Sequence, residues 1–121
     1  MPESGTHSVP ELPLPVAGCC DVPTVQLMPA ATAQELAAAF KAIGHPIRLQ
    51  IMHILAQAGG HVCVCEIEAQ FTVKQPTVSH HLRTLREAGL VDAEQRGLYA
   101  YYRLRPDMLS FLKGQFERFS G

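Results

Sequence analysis

The spacing of hydrophobic residues predicts an amphipathic helix over residues 74–90. Val78, Leu82 and Leu85 follow one another at intervals of four and three residues, so they form a single narrow apolar stripe. Pro76 suits the first turn of this helix, where its missing N–H has no intrahelical partner. Because the stripe is narrow, most of the helix surface is free to contact a polar partner.

The polar residues of this helix cluster at its N-terminal turns and on the side away from the stripe. Hydrogen-bond donors and positive charges at the start of an exposed helix suit the groove of DNA, where phosphates and base edges are contacted. The pattern therefore predicts that the helix binds double-stranded DNA. The residues that we expect to make the contacts are Lys74, Gln75, Thr77, Ser79, His80 and Arg83.

The chain before this helix shows two helical patterns, a short alternating stretch and a third helical pattern. Thr32 is a suitable N-cap for the first helix, whose apolar face consists of Leu36, Phe40 and Ile43. Pro46 begins the second helix, which stops at a pair of glycines. The predicted elements are helices over residues 33–43 and 65–71, a helix between His45-Pro46 and Gly59-Gly60, and a strand over residues 61–64.

A hairpin follows the DNA-binding helix. Residues 91–95 and 98–104 alternate as strands do, and Arg96-Gly97 forms the predicted tight turn between them. At the tip of this hairpin, we expect Arg96 to contact the DNA backbone or the minor groove.

The final helix begins near Pro106 and carries more apolar residues than one stripe can hold. A single small domain has no second face on which to bury them, so they predict a homodimer interface. The apolar residues are Met108, Leu109, Phe111, Leu112, Phe116 and Phe119.

The order of these elements predicts a mainly α fold with a β-hairpin wing. Helix, helix, strand, helix, helix, hairpin and helix make a winged helix-turn-helix, which we expect to form a homodimer through its first and last helices. Residues 1–31 hold six of the nine prolines and no periodic pattern. We therefore predict a flexible N-terminal arm over residues 1–31 and a DNA-binding domain over residues 32–121.

The distribution of charge supports DNA binding, although the net charge is −1. Residues 1–40 carry four acidic residues and no Lys or Arg, whereas residues 74–105 carry six basic residues and three acidic ones. A local basic surface is what binding to phosphates requires, and the total for the chain does not report it.

The composition also predicts the compartment and the state of the cysteines. No apolar run approaches the roughly 18 residues of a membrane span, and the N-terminus lacks the features of a secretory signal. We therefore expect a cytoplasmic protein without membrane contact. In a reducing cytosol, four cysteines favour thiolate chemistry with a metal or redox partner over structural disulfides.

Two of these cysteines, Cys63 and Cys65, are separated by a single residue. On one helix their side chains would diverge, but they converge if Cys63 lies in the extended approach and Cys65 opens the helix. The positive end of the helix should then favour the thiolate form. Thiolates select soft ions over calcium and magnesium. The alternative interpretation of Cys63 is a small buried hydrophobic residue.

Four motifs occur in order along the chain. They are FKAIGHPIRL at residues 40–49, CVCEI at 63–67, QPTVSHHL at 75–82 and the wing segment GLYAYY at 97–102. In these motifs the sequence resembles the ArsR/SmtB family of metal-responsive repressors, from about Leu36 to Leu112. The resemblance implies a homodimer that represses its operator in the ligand-free state and releases DNA on binding a metal or metalloid.

The resemblance also implies a ligand set. The family's enteric arsenite sensors have a third cysteine one turn after the pair, where this chain has Glu68. By resemblance to repressors that pair an N-terminal Cys-Cys with Cys-Val-Cys, the missing sulfurs come from the arm. We therefore expect arsenite, As(III), as inducer, with Cd(II), Pb(II) or Zn(II) as alternatives. The predicted ligands are Cys19, Cys20, Cys63 and Cys65.

Two other functions use the same cysteines. A thiol redox sensor would oxidise them to disulfides under stress. A thiol-based chaperone or enzyme would leave the DNA-binding helix unexplained, and the sequence shows no nucleophile–base pairing, phosphate loop or CxxC motif. We therefore expect no enzymatic activity.

Overall fold

The structure is a computed structural model that describes residues 25–73 and 75–120. Its elements follow the predicted order of helices and strands. They are α1 (Ala30–Ile43), α2 (Pro46–Ala58), β1 (Val62–Cys63), α3 (Val64–Glu68), α4 (Gln75–Glu87), β2 (Val91–Arg96), β3 (Tyr99–Leu104) and α5 (Pro106–Ser120).

The predicted apolar stripe of α4 lies at the centre of the hydrophobic core. Val78, Leu82 and Leu85 are fully buried, and they pack in one cluster with buried residues of α1, α2, α3, β2 and α5. Gly89 ends the helix with a φ of 79°, the left-handed conformation that was expected from the sequence. The next N–H, that of Leu90, donates to Leu85 O at 3.0 Å and closes the C-terminal turn.

The three strands form one antiparallel sheet in the order β1-β3-β2. Strand β2 pairs with β3 from Val91 opposite Leu104 to Arg96 opposite Tyr99. The prediction that Arg96 lies in the turn is therefore wrong, because its pairing with Tyr99 makes it the last residue of β2. The turn at the wing tip consists of Gly97, at a φ of 62°, and the next residue.

Several predicted element ends differ from the structure, among them the start of α1 and the end of α3. Helix α1 begins at Ala30 with Pro29 as its N-cap, so the prediction of Thr32 as the cap is wrong. Two alanines, the strongest helix formers, carry the helix further towards the N-terminus than the capping signal suggested. Helix α3 ends at Glu68, and the next turn tightens as the Phe71 N–H donates to Glu68 O at 3.1 Å.

The predicted arm and domain boundary are only partly covered by the described residues. Residues 1–24 lie outside them, and residues 25–29 precede α1 without regular structure. Among the helices of residues 25–73 and 75–120, none is long and apolar enough to cross a membrane.

Candidate DNA-binding surface and thiol pair

Helix α4 presents a polar surface opposite its buried stripe. Thr77, Ser79, His80 and Arg83 are exposed, and they are the predicted DNA contacts whose side chains are described. Gln75 begins the helix, and Lys74 lies outside the described residues. This surface follows from the sequence, because a helix buried along one narrow stripe exposes the residues on its other sides.

His81 lies at the boundary between this surface and the core. It is only 6% exposed, and its ring centre lies 4.3 Å from that of His45, the N-cap of α2. Burial lowers the pKa of His81, and the nearby His45, Arg48 and His80 lower it further. Its Nδ1 atom has no hydrogen-bond partner within the described part of the chain. His81 is therefore a core histidine whose hydrogen bonds are incomplete.

The basic residues of the wing are matched by carboxylates. Arg96 Nη2 lies 3.2 Å from Glu94 Oε1, and Arg103 Nη2 lies 3.1 Å from Asp92 Oδ2. The first of these contacts holds the pKa of Glu94 below and that of Arg96 above their ordinary values. Arg105 is paired in the same way, with an aspartate of α5. The local excess of positive charge inferred from the sequence is therefore smaller on the wing than on α4.

Cys63 and Cys65 lie at the junction of the sheet and α3. Cys63 ends β1 and is the N-cap residue of α3, where its N–H donates to Glu66 Oε1 at 3.2 Å. Cys63 is 4% exposed and Cys65 is exposed, so the pair opens to the surface on one side. Their Sγ atoms lie 2.6 Å apart, in agreement with the convergence expected from the sequence.

The protonation of this pair differs from the prediction. The pKa of Cys65 is raised, first by its hydrogen bond with the Cys63 thiol and then by burial. The hydrogen bond from the Glu66 N–H lowers that pKa but does not outweigh these effects. The prediction that the helix N-terminus favours the Cys65 thiolate in the ligand-free chain is therefore wrong, because the hydrogen bond with Cys63 and burial outweigh the hydrogen bond from the start of α3.

The described residues supply an incomplete set of metal ligands. No group of three or more His, Cys, Asp or Glu side chains that could hold an ion occurs among residues 25–73 and 75–120. Cys19 and Cys20 lie outside the described residues. The contact of Glu66 with Cys63 was not predicted from the sequence, although its spacing of three residues from the N-cap is the capping-box signal.

Helices α1 and α5 carry an aromatic cluster at the surface. The ring centres of Phe40 and Phe116 lie 5.2 Å apart, and those of Phe116 and Phe119 lie 6.4 Å apart. Phe116 is 56% exposed and Phe119 is 69% exposed in the single chain. Both of these α5 residues belong to the homodimer interface predicted from the sequence.

Comparison with known proteins identifies the family. Residues 45–93 match the model of the bacterial regulatory protein arsR family, a segment that includes both cysteines of the thiol pair and all of α4. An uncharacterized HTH-type transcriptional regulator of Methanocaldococcus jannaschii is 42% identical over 74 residues, which are 61% of this chain and 82% of that protein. The arsenical resistance operon repressor of Bacillus subtilis is 38% identical over 73 residues, which are 60% and 69% of the two chains.

A solved structure supports the same conclusion. The homodimeric winged helix-turn-helix domain of a possible ArsR-family regulator from Mycobacterium bovis matches with a TM-score of 0.61 and 31% identity, covering 75% of this chain and 82% of that one. The sheet order and the α3–α4 pair described above have the topology that this fold requires. The chain therefore belongs to the ArsR/SmtB family of winged helix-turn-helix transcriptional repressors, which are DNA-binding regulators and not enzymes.

Proposed function

We propose that this chain is a homodimeric cytoplasmic repressor that releases its operator when its cysteine thiolates capture trivalent arsenic. The observation that carries the proposal is the contact between Cys63 and Cys65, whose sulfurs lie 2.6 Å apart beside the DNA-binding motif. The name of the Bacillus subtilis relative, an arsenical resistance operon repressor, supports the choice of arsenic.

The operator contacts come from α4 and the wing. The exposed surface of α4 enters the major groove of double-stranded DNA, with its hydroxyls, imidazole and guanidinium near phosphates and base edges. Arg96, at the end of β2, reaches the backbone or the minor groove. The contacting residues are Lys74, Gln75, Thr77, Ser79, His80, Arg83 and Arg96.

A homodimer brings two copies of α4 to one operator. The exposed rings of Phe116 and Phe119 join Phe40 of α1 in one aromatic patch, which a second copy of the chain would cover. The homodimeric state of the Mycobacterium bovis domain supports this assembly. The spacing of the two α4 helices must then match successive turns of DNA, about 34–36 Å apart.

The thiol pair supplies two sulfurs, and the arm supplies the others. Cys19 and Cys20 add one or two thiolates, which gives three sulfurs for arsenic or four for tetrahedral Cd(II), Pb(II) or Zn(II). Cys65 is exposed, so an ion and the arm can approach it from solvent. Capture would tie residues 1–31 to the start of α3 and change the relation of the two docking helices.

Operator release by arsenite tests this function directly. An operator duplex selected from a random-sequence pool is titrated with reduced protein, with and without arsenite, for the wild type and for Cys63→Ser, Cys65→Ser and Cys19→Ser/Cys20→Ser variants. We expect the wild type to release DNA and the variants to keep binding it. Full inducibility in both single variants of the thiol pair would end the proposal. Parallel titrations with Cd(II), Pb(II) and Zn(II) compare the ions.

The same geometry supports thiol redox sensing as a second candidate. The distance of 2.6 Å between Cys63 Sγ and Cys65 Sγ exceeds a disulfide bond of about 2.05 Å by little. A two-electron oxidant such as hydrogen peroxide would oxidise the two thiols to a disulfide and would itself be reduced to water. Release of the operator by peroxide without any metal, reversed by a dithiol reductant, would favour this function over arsenite sensing.

A further inference from the structure

The outer face of the sheet carries a row of three side chains that begins at the thiol pair. In the register of the strands, Cys63 of β1 lies opposite Tyr101 of β3, and Tyr101 lies opposite Glu94 of β2. Directly opposed residues of antiparallel strands place their side chains on the same face. The adjacent residues Val62 and Tyr102 pack with the hydrophobic core on the other face. The row therefore lies on the opposite face of the sheet from Val62 and Tyr102, and it runs from buried Cys63 to exposed Glu94.

Arg96 ends this row at the wing. Its guanidinium carbon lies 4.7 Å from the centre of the Tyr101 ring, within the range of a cation–π contact. Its Nη2 donates to Glu94 Oε1 at 3.2 Å, and the same oxygen lies 3.3 Å from His61 Nε2. His61 lies just before β1, so the segment that carries Cys63 is connected to Arg96 through Glu94 as well as through Tyr101.

We propose that Tyr101 is the positioning residue through which ligand capture at Cys63 changes the pose of Arg96 on DNA. The proposal rests on the proposed function, since it assumes that the thiols capture arsenite and that the wing contacts the operator. It adds the route within one chain by which arsenite capture at the thiols changes the contact of the wing with the operator.

The physical cause is a change in packing beside Cys63. Arsenite held by both sulfurs would replace the present contact between the two thiols, so the Cys63 sulfur would move relative to that of Cys65. Cys63 is almost fully buried, and its main chain is fixed by pairing with β3. A shift of its sulfur therefore acts on its neighbours, of which the Tyr101 ring is the one directly across the strand.

The wing responds because Arg96 rests on that ring. An exposed arginine is held by few contacts, and here they are the ring of Tyr101 and the carboxylate of Glu94. A tilt of the ring removes one of these two supports. The guanidinium then leaves the position from which it contacts DNA, and operator affinity falls by the roughly 5–150-fold that is usual for allosteric coupling.

Tyrosine emission tests the step from the thiols to the ring. The chain has no tryptophan and three tyrosines, all of them in β3, so its ultraviolet emission reports on this strand alone. Arsenite should change the emission of the wild type and of the Tyr99→Leu control. It should leave the emission of Tyr101→Leu unchanged, while calorimetry shows that this variant still binds arsenite.

Operator binding tests the step from the ring to the wing. The measured quantity is the operator affinity without arsenite divided by the operator affinity with arsenite. This ratio should fall towards one in Tyr101→Leu and in Arg96→Gln. Tyr101→Phe should keep the wild-type ratio, because the ring is kept. Tyr99→Leu, on the same strand and face, should keep the wild-type ratio. Arg96→Gln leaves the strand pairing intact, so it decides the matter if Tyr101→Leu does not fold.

The outcomes separate this route from the proposed function. If the wild type releases DNA with arsenite and Arg96→Gln and Tyr101→Leu release it by the same factor, the route through Tyr101 is wrong and the sensing function stands. If the wild type binds arsenite without any release of DNA, both are wrong. A loss of coupling confined to the Tyr101 and Arg96 variants, with arsenite binding kept, supports the route.

Discussion

Replacing Arg83 with alanine should make operator binding less dependent on salt, whereas replacing Arg103 should not. Arg83 is exposed on the surface of α4 and has no ion-pair partner among the described residues. Arg103 Nη2 lies 3.1 Å from Asp92 Oδ2 on the adjacent strand. An unpaired cation that binds a phosphate displaces a counterion from DNA, and a cation already matched by a carboxylate contributes much less.

The size of the effect follows from the number of phosphates that Arg83 neutralises. The slope of log affinity against log salt is about 0.9 for each phosphate neutralised on duplex DNA. A homodimer carries two copies of Arg83, so the slope should become less steep by about 1.8 when both are replaced. Between about 50 and about 200 mM salt, this corresponds to a change of about 12-fold in the ratio of wild-type to variant affinity.

Fluorescence anisotropy of a labelled operator at several salt concentrations measures these slopes. Arg83→Ala and Arg103→Ala are compared with the wild type under conditions in which each remains dimeric. An equal decrease of slope in the two variants would refute the assignment of charge to α4 and of matched ion pairs to the wing. An unchanged slope in Arg83→Ala would show that this side chain does not contact a phosphate.

Three further predictions concern stability and assembly. Gly89→Ala and Gly97→Ala should each lower the free energy of unfolding by about 1–2 kcal/mol in urea titrations, because both residues have positive φ; an unchanged midpoint would contradict this. The pKa of His81 is lowered in the folded chain, so the unfolded chain binds the proton more readily. The Tm should therefore fall as the pH decreases below about 6.5. His81→Phe should make this fall in Tm smaller, and the control His53→Gln, at an exposed position, should leave it as in the wild type. Phe119→Glu should shift the chain from dimer to monomer in analytical ultracentrifugation, and an unchanged mass would argue against the α5 interface.

The features of the fold that depend on the local spacing of residues could be predicted from the sequence. The stripe of α4 and its end at Gly89 depend only on local spacing and on one conformational preference, and both are found in the structure. The predicted start of α1 was wrong because Thr32 resembles an N-cap residue, whereas the two alanines before it continue the helix to Ala30. Signals that compete within a few residues are decided by small energy differences, so element ends are predicted least well.

The candidate site depended on strand register, which the sequence did not reveal. The position of Arg96 in β2 and the row from Cys63 to Tyr101 follow from which residues face each other across the sheet. The ion pair of Arg96 with Glu94 joins two residues on the same face of one strand. A count of basic and acidic residues cannot show that those of the wing are paired. The convergence of Cys63 and Cys65 was accessible from local geometry, and their role as ligands stays a prediction.

The basic residues expected to bind phosphates and the arginine expected to respond to arsenite lie on different elements, α4 and the wing. The unpaired Arg83 lies on α4, and the proposed route from the thiols ends at Arg96, whose charge is matched by Glu94. Arsenite should therefore remove contacts that depend on fit to the operator and leave the general attraction to phosphates in place. Non-specific duplex DNA should then bind the wild type with the same affinity and the same salt slope with and without arsenite. A large decrease of non-specific affinity on adding arsenite would instead mean that the change in the relation of the two α4 helices also removes their phosphate contacts.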